Sequence, residues 1–175
     1  MVADLPPAAL GGGWGAALSR ALAAGLVAVL AALFVRTFVV EIVQVPSGSM
    51  APALVAGDRV AVDRLVYGGG SGPLAWLLPS REPVAGDVVV FGSPEGRRRL
   101  LVKRCVATGG EPFAGSWVPP DTLVLLGDAG ESSHDSRAFG PVGRGAVVGR
   151  AALVLWSIPP GSARPRWGRT LARVR

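Results

Sequence analysis

Between Arg20 and Arg36 the chain reads ALAAGLVAVLAALFV, 15 residues without a charge, and TFVV prolongs the apolar character to Val40. A stretch of this kind cannot lie exposed in water, so it fixes the setting of everything that follows. Alone it falls short of the roughly 20 residues that a helix needs to cross a hydrocarbon core. Its flanking arginines carry long apolar stems whose charged heads reach the interface, and a helix over 16–40 then spans. A core helix apolar on every face needs a larger protein around it. A cleavable signal peptide has an apolar region of this length, but RTFVVEIVQVP, which follows, offers no small-x-small exit site. The segment reads as an uncleaved membrane anchor, and half of the residues being hydrophobic with 17% charged agrees.

The anchor divides the chain. Residues 1–15 are a short Pro/Gly/Ala-rich lead, 16–40 the anchor, and 41–175 one further domain. Past Val40 the pattern turns to short runs separated by turn residues. EIVQVP and DRVAVDRLVY alternate or run β-branched, GDVVVFGSP is a buried-strand run, and RLLVKRCVAT, DTLVLLGD and GAVVGRAALVLW follow suit. None shows sustained helical periodicity, so the fold class is mostly β on one membrane helix. Residues 68–80, GGGSGPLAWLLPS, form a loop with an apolar tip expected at the membrane surface.

Several function classes are excluded. The net charge is +6, yet the basic residues do not interleave with aromatics as a nucleic-acid face requires. Cys105 is the single cysteine and His134 the single histidine, which rules out an intramolecular disulfide and a Cys/His zinc site. No metal or cofactor is expected, and no G-x-x-x-x-G-K-[ST] phosphate loop is present. Arginines at both ends of the anchor leave its orientation open.

Three segments carry possible chemistry. In QVPSGSMAPAL a Ser-Gly-Ser turn ends a strand leaving the membrane, which holds a serine exposed beside backbone N–H groups. Lys103 is the chain's one lysine among 18 basic residues. Strand alternation puts it on the face of Leu101 and Cys105, where desolvation lowers an amine pKa. A neutral amine can take a proton from a serine hydroxyl, and arginine cannot. The third segment, GDAGESSHDSRAFGPV, is polar and contains His134. A Ser49–His134–Asp135 triad is disfavoured, because sequence neighbours in an extended segment point in opposite directions while a triad needs the aspartate on the imidazole. Asp128 is the alternative partner.

Together, VPSGSMAPAL, GDVVVF with LVKRCVATGG, and GD with SSHDSRAFGPV and VVGRA, in that order behind an apolar helix and RTFVVE, resemble the type I signal peptidases. The similarity covers Arg36 to Trp156. It implies a coiled antiparallel β-sheet catalytic domain (residues 41–175) and a Ser/Lys dyad needing no cofactor. Ser49 would be the nucleophile and Lys103 its general base. Ser47 and the Ser49 N–H would form the oxyanion hole, and Ser133, Asp128, Asp135 and Arg137 would support the dyad. Val43, Val45, Leu54, Leu101 and Val102 would wall the pockets for small residues at −1 and −3. The resemblance further implies a monomer in the bacterial inner membrane that touches lipid and acts on signal peptides of exported preproteins. The N-terminus (1–15) would be cytoplasmic and the catalytic domain on the outer face. Two departures stand out: Ala129-Gly130 replaces a usual Asn-Arg pair, and the short span from Lys103 to Gly127 leaves the accessory insert reduced or absent. Self-cleaving repressors share the Ser/Lys chemistry but carry a DNA-binding module in place of the apolar helix, and a non-catalytic anchored β-domain remains the other alternative.

Overall fold

A computed structural model describes residues 13–67, 81–96 and 99–175. The expected apolar tip at 68–80 and most of the 1–15 lead lie outside the described residues. The chain divides into two units after Arg36.

The first unit is helical. Helix α1 spans Gly13–Phe34 and is built from Ala and Leu, the residues that lose least on entering a helix. Ser19, which stands beside Arg20 in this helix, donates its hydroxyl to the Ala16 carbonyl at 3.0 Å. The helix ends where β-branched residues crowd in. Val35, Thr37 and Val39 disfavour continued α geometry, and Val35–Val39 form a π turn before the first strand. The stretch Trp14–Val39 is long and apolar enough to cross a membrane, and none of its most apolar part is buried within the protein.

The second unit is a curled antiparallel sheet, a half-barrel, as expected. Its strands are β1 (Val40–Gln44), β2 (Asp58–Asp63), β3 (Val88–Gly92), β4 (Leu100–Thr108), β7 (Thr122–Leu126), β8 (Val142–Gly143), β9 (Val147–Ser157) and β10 (Ala172–Arg173). They lie in the order β1-β2-β9-β3-β4-β7-β8, with β10 beside β9. A separate hairpin, β5 (Pro112–Phe113) and β6 (Ser116–Trp117), occupies the short span between β4 and β7. The strand-like runs of the sequence become β1, β2, β3, β4, β7 and β9. The two-residue strands are too short for alternation to announce them, and so is the single helical turn α2 (Ser136–Phe139).

Strand β3 explains why its run is apolar without alternation. Val88 and Val90 enter one core cluster, with Val60, Val62, Val102 and Val154. Val89 and Phe91 enter the other, with Cys105, Leu123 and Leu125. Both faces of β3 are therefore covered. Strand β9, between β3 and β2, packs so closely on β2 that Gly149 has no room for a side chain: a Cβ there would overlap the Asp63 carbonyl.

The turn after β1 is fastened from the far end of the chain. Asp58 is fully buried. It accepts from Arg169 Nε at 3.1 Å, Arg169 Nη2 at 2.6 Å and the Val55 N–H at 3.0 Å. Arg169 also holds the Ala53 carbonyl at 2.9 Å, and Arg166 the Ala56 carbonyl at 3.1 Å. Burial alone would raise the Asp58 carboxyl, but hydrogen bonds from Arg169, Ser157 and Val55 outweigh it and hold the pKa below the usual value. A carboxyl so depressed stabilises the fold above its unfolded pKa of about 3.9, and this is lost as pH falls through the folded value. Asp58→Ala should therefore cost about 3 kcal/mol at pH 7, the size for breaking a buried pair. Chemical unfolding in detergent should show that gap narrowing below about pH 4.

Candidate active site

The serine turn follows from where β1 must end. Val45 is buried, and its N–H and carbonyl bond to the Asp58 carbonyl at 2.8 Å and the Gly57 N–H at 2.9 Å. Met50 and Leu54 are also buried, joined by a bond from the Leu54 N–H to the Met50 carbonyl at 2.8 Å. Residues 46–48 between these anchors are exposed, and Ser49 is half-buried at their edge. The turn closes through the Ala51 N–H on the Gly48 carbonyl at 2.9 Å, and Ser47 Oγ lies 3.4 Å from Ser49 Oγ.

Lys103 sits in β4 opposite Val89, and its side chain is only 3% exposed. Its Nζ donates to Ser133 Oγ at 2.7 Å. Burial pushes the amine pKa down, and the Asp135 carboxylate partly restores it, so the net shift is below the ordinary lysine value. Ser133 in turn hydrogen-bonds Asp135. That carboxylate has no solvent exposure and accepts from the Gly127 N–H at 2.9 Å, Arg137 Nε at 2.9 Å and Arg137 Nη2 at 2.7 Å. It also caps α2 through the Arg137 N–H. Burial opposes its charge, but these donors prevail and hold it far below the usual carboxylate range.

Gly127 joins the two halves. A Cβ at this position would overlap the Ser133 side chain and stand 2.6 Å from the Ser49 carbonyl. Two residues on, the Ala129 N–H donates to that same carbonyl at 3.1 Å. Asp128 is held by Arg104 through Nε at 2.8 Å and Nη2 at 2.7 Å. With Ala129-Gly130 following Asp128, the loop still has backbone support, and Arg137 Nη2 also holds the Gly130 carbonyl at 2.6 Å.

One cleft of about 720 Å³ takes in Val45, Ser47, Ser49, Leu101, Val102 and Lys103. Val43 and Leu54, expected in the pocket walls, stand outside its lining. Leu54 is fully buried in the core cluster with Met50, and Val43 packs against the same cluster. His134 points outward while Asp135 points inward, the opposition that disfavoured a triad. Its Nε2 meets Glu95 Oε1 at 2.7 Å and its ring lies edge-on to Phe139. Leu100, Arg99, Glu95 and His134 also line the cleft and were not expected there. Leu100 was legible as a neighbour of the pocket residues, whereas the Glu95–His134 pairing joins positions 39 apart and had no local signal.

The family model described as "Signal peptidase, peptidase S26" matches residues 18–114 and 111–156. The chain belongs to this family. A "Signal peptidase I" of Leptolyngbya laminosa is 28% identical over 164 residues, covering 74% of this chain and 75% of its own. A "Signal peptidase I" of Aquifex aeolicus is 35% identical over 83 residues, 47% of this chain and 28% of its own. The "Mitochondrial inner membrane protease subunit 2" of Danio rerio is 28% identical over 165 residues, 90% of this chain and 84% of its own. As a type I signal peptidase by family, the protein is a serine protease, and its apolar N-terminal helix fits a membrane-anchored one.

Gly127 leaves no room for a side chain between Ser133 and the Ser49 carbonyl. Gly127→Ala must part Ser133 from the Ser49 backbone. A displacement of about 1 Å there should lower kcat at least a hundredfold. Steady-state kinetics and the unfolding midpoint of the same preparation would separate this loss from misfolding.

Proposed function

We propose that the protein removes N-terminal signal peptides from exported preproteins by a Ser49/Lys103 dyad, cutting after small residues in an Ala-x-Ala context. The observation that carries this reading is the buried lysine. Lys103 is the chain's one lysine, its amine pKa is lowered by burial, and its Nζ shares a cleft with Ser49. The Ser133 hydroxyl commits its proton to Asp135 and accepts from Lys103 Nζ, which leaves the lone pair of the neutral amine for Ser49. Ser49 Oγ then attacks the peptide carbonyl while its proton passes to Lys103 Nζ. The oxyanion is received by the Ser49 N–H and the Ser47 hydroxyl. Collapse of the intermediate breaks the C–N bond, Lys103 gives the proton to the leaving amine, and a water activated by the same amine hydrolyses the acyl-enzyme.

Strand pairing supports a peptide substrate. Leu100–Lys103 pair with β3 on one edge, whereas pairing with β7 begins only at Arg104. Among the described residues no strand pairs with that edge, and residues 100–103 line the cleft, which suits an extended chain added as a strand. Val45, Leu101 and Val102 offer apolar walls beside it, fitting small side chains. Residues 16–40 would anchor the protein in the bacterial inner membrane, with 1–15 cytoplasmic and 41–175 acting as a monomer on the outer face. Resistance of the full-length chain to alkaline carbonate washing from its host membranes is the expected result.

Ser49→Ala should abolish cleavage of an Ala-x-Ala precursor with the unfolding midpoint unchanged. Lys103→Arg should lose at least about a thousandfold, because a guanidinium stays protonated and cannot serve as base. The rate for the wild type should rise with pH as the amine deprotonates, with a midpoint below the free-lysine value of about 10.4. A folded arginine variant cutting at a comparable rate would remove Lys103 from the role of base.

A further inference from the structure

The cleft does not stop at the pockets beside Lys103. It continues along the free edge of β4 to Arg99, which is exposed and lines the same cleft. Arg99 lies four positions before Lys103 along the extended chain, about 13 Å at roughly 3.3 Å per residue. Arg99 is held at the start of the strand because its carbonyl accepts the Ser93 N–H at 2.9 Å, so its backbone continues the line of Leu100–Lys103. Among the described residues it pairs with no carboxylate. Glu95, the acidic group on the same hairpin, is turned to His134 at 2.7 Å, and the His134 ring is steadied edge-on by Phe139. That contact ties the hairpin tip to the loop bearing Ser133.

We propose that Arg99 is a specificity-determining residue, forming a subsite that favours an acidic side chain of the substrate about four residues from the scissile bond. This rests on the reading of the cleft as the binding site for an extended peptide. A chain laid along the edge of β4 with its reacting carbonyl beside Lys103 carries its fourth residue past Arg99. A carboxylate there gains a charged hydrogen bond, while an ammonium meets a like charge.

The test uses the full-length protein in an uncharged detergent and peptides sharing one Ala-x-Ala core. Glu, Gln or Lys is placed singly at each position three to five residues to either side of the cleaved bond. At one position about four residues away, kcat/KM should favour Glu over Lys about fivefold, an exposed charge contact felt with opposite signs by the two peptides. Arg99→Gln should bring the ratio to near one, and Arg99→Glu should invert it. Raising the salt from about 0.1 M to about 1 M, which shortens the screening length from about 10 Å to 3 Å, should flatten the wild-type preference without any substitution. Because the readout is a ratio between peptides, it does not depend on how much of a variant preparation is active. Absence of a Glu preference at every position, or one that survives Arg99→Glu, would overturn the proposal. Failure of the wild type to cut even the Gln-bearing peptides would sink the peptidase reading itself.

Discussion

An amine in the interior of a β-sheet is the constraint around which this protein is built. Lys103 lies between two apolar neighbours on its face of β4, in a layer that also holds Val89 and Phe91. Left without partners, a charged ammonium there would be strongly unfavourable. Ser133 gives it one hydrogen bond and Asp135 a nearby negative charge, yet burial still governs and holds the amine pKa below the ordinary lysine value. Asp135 must itself be kept ionised without solvent. That requirement accounts for the Gly127 N–H, the Arg137 guanidinium and the capped turn of α2, all of which converge on one carboxylate.

The same convergence positions the serine turn. Gly127 leaves no space for a side chain beside the Ser49 carbonyl, on the segment that serves Asp135, and the Ala129 N–H bonds to that carbonyl. On its other side the turn is pinned by Met50 and Leu54 in the core and by the Asp58–Arg169 pair at its base. Exposure of Ser47 and Gly48 is therefore a consequence of fixed points on both flanks, and the turn needs no strain of its own to stand out.

Much of this was legible in the sequence. The strands were, because β-branched runs bounded by glycine and proline leave few other conformations. Lys103 was, because a chain that otherwise uses arginine for charge leaves its one lysine conspicuous. Other features were not. Leu54, which the resemblance places in a pocket wall, is fully buried in the core cluster with Met50, and no local pattern in the sequence distinguishes the two positions. Gly127 reads as an ordinary loop glycine until the Ser49 carbonyl and Ser133 are seen against it. The Glu95–His134 contact and the charged end of the cleft depend on how a hairpin tip meets a distant loop, and no periodicity encodes that. The two-residue strands β5, β6, β8 and β10 lie below the length at which alternation carries information.

The bond between the Ala129 N–H and the Ser49 carbonyl joins positions 49 and 129, 80 apart in the chain. A protein made from its N-terminus has the serine turn long before the loop that completes it. Until residues 127–137 have been synthesised and β7 has paired with β4, Lys103 lacks its serine partner and the turn lacks its clamp. In the proposed dyad mechanism, competence would therefore arrive only with closure of the sheet, after the loop at 127–137 has met the serine turn.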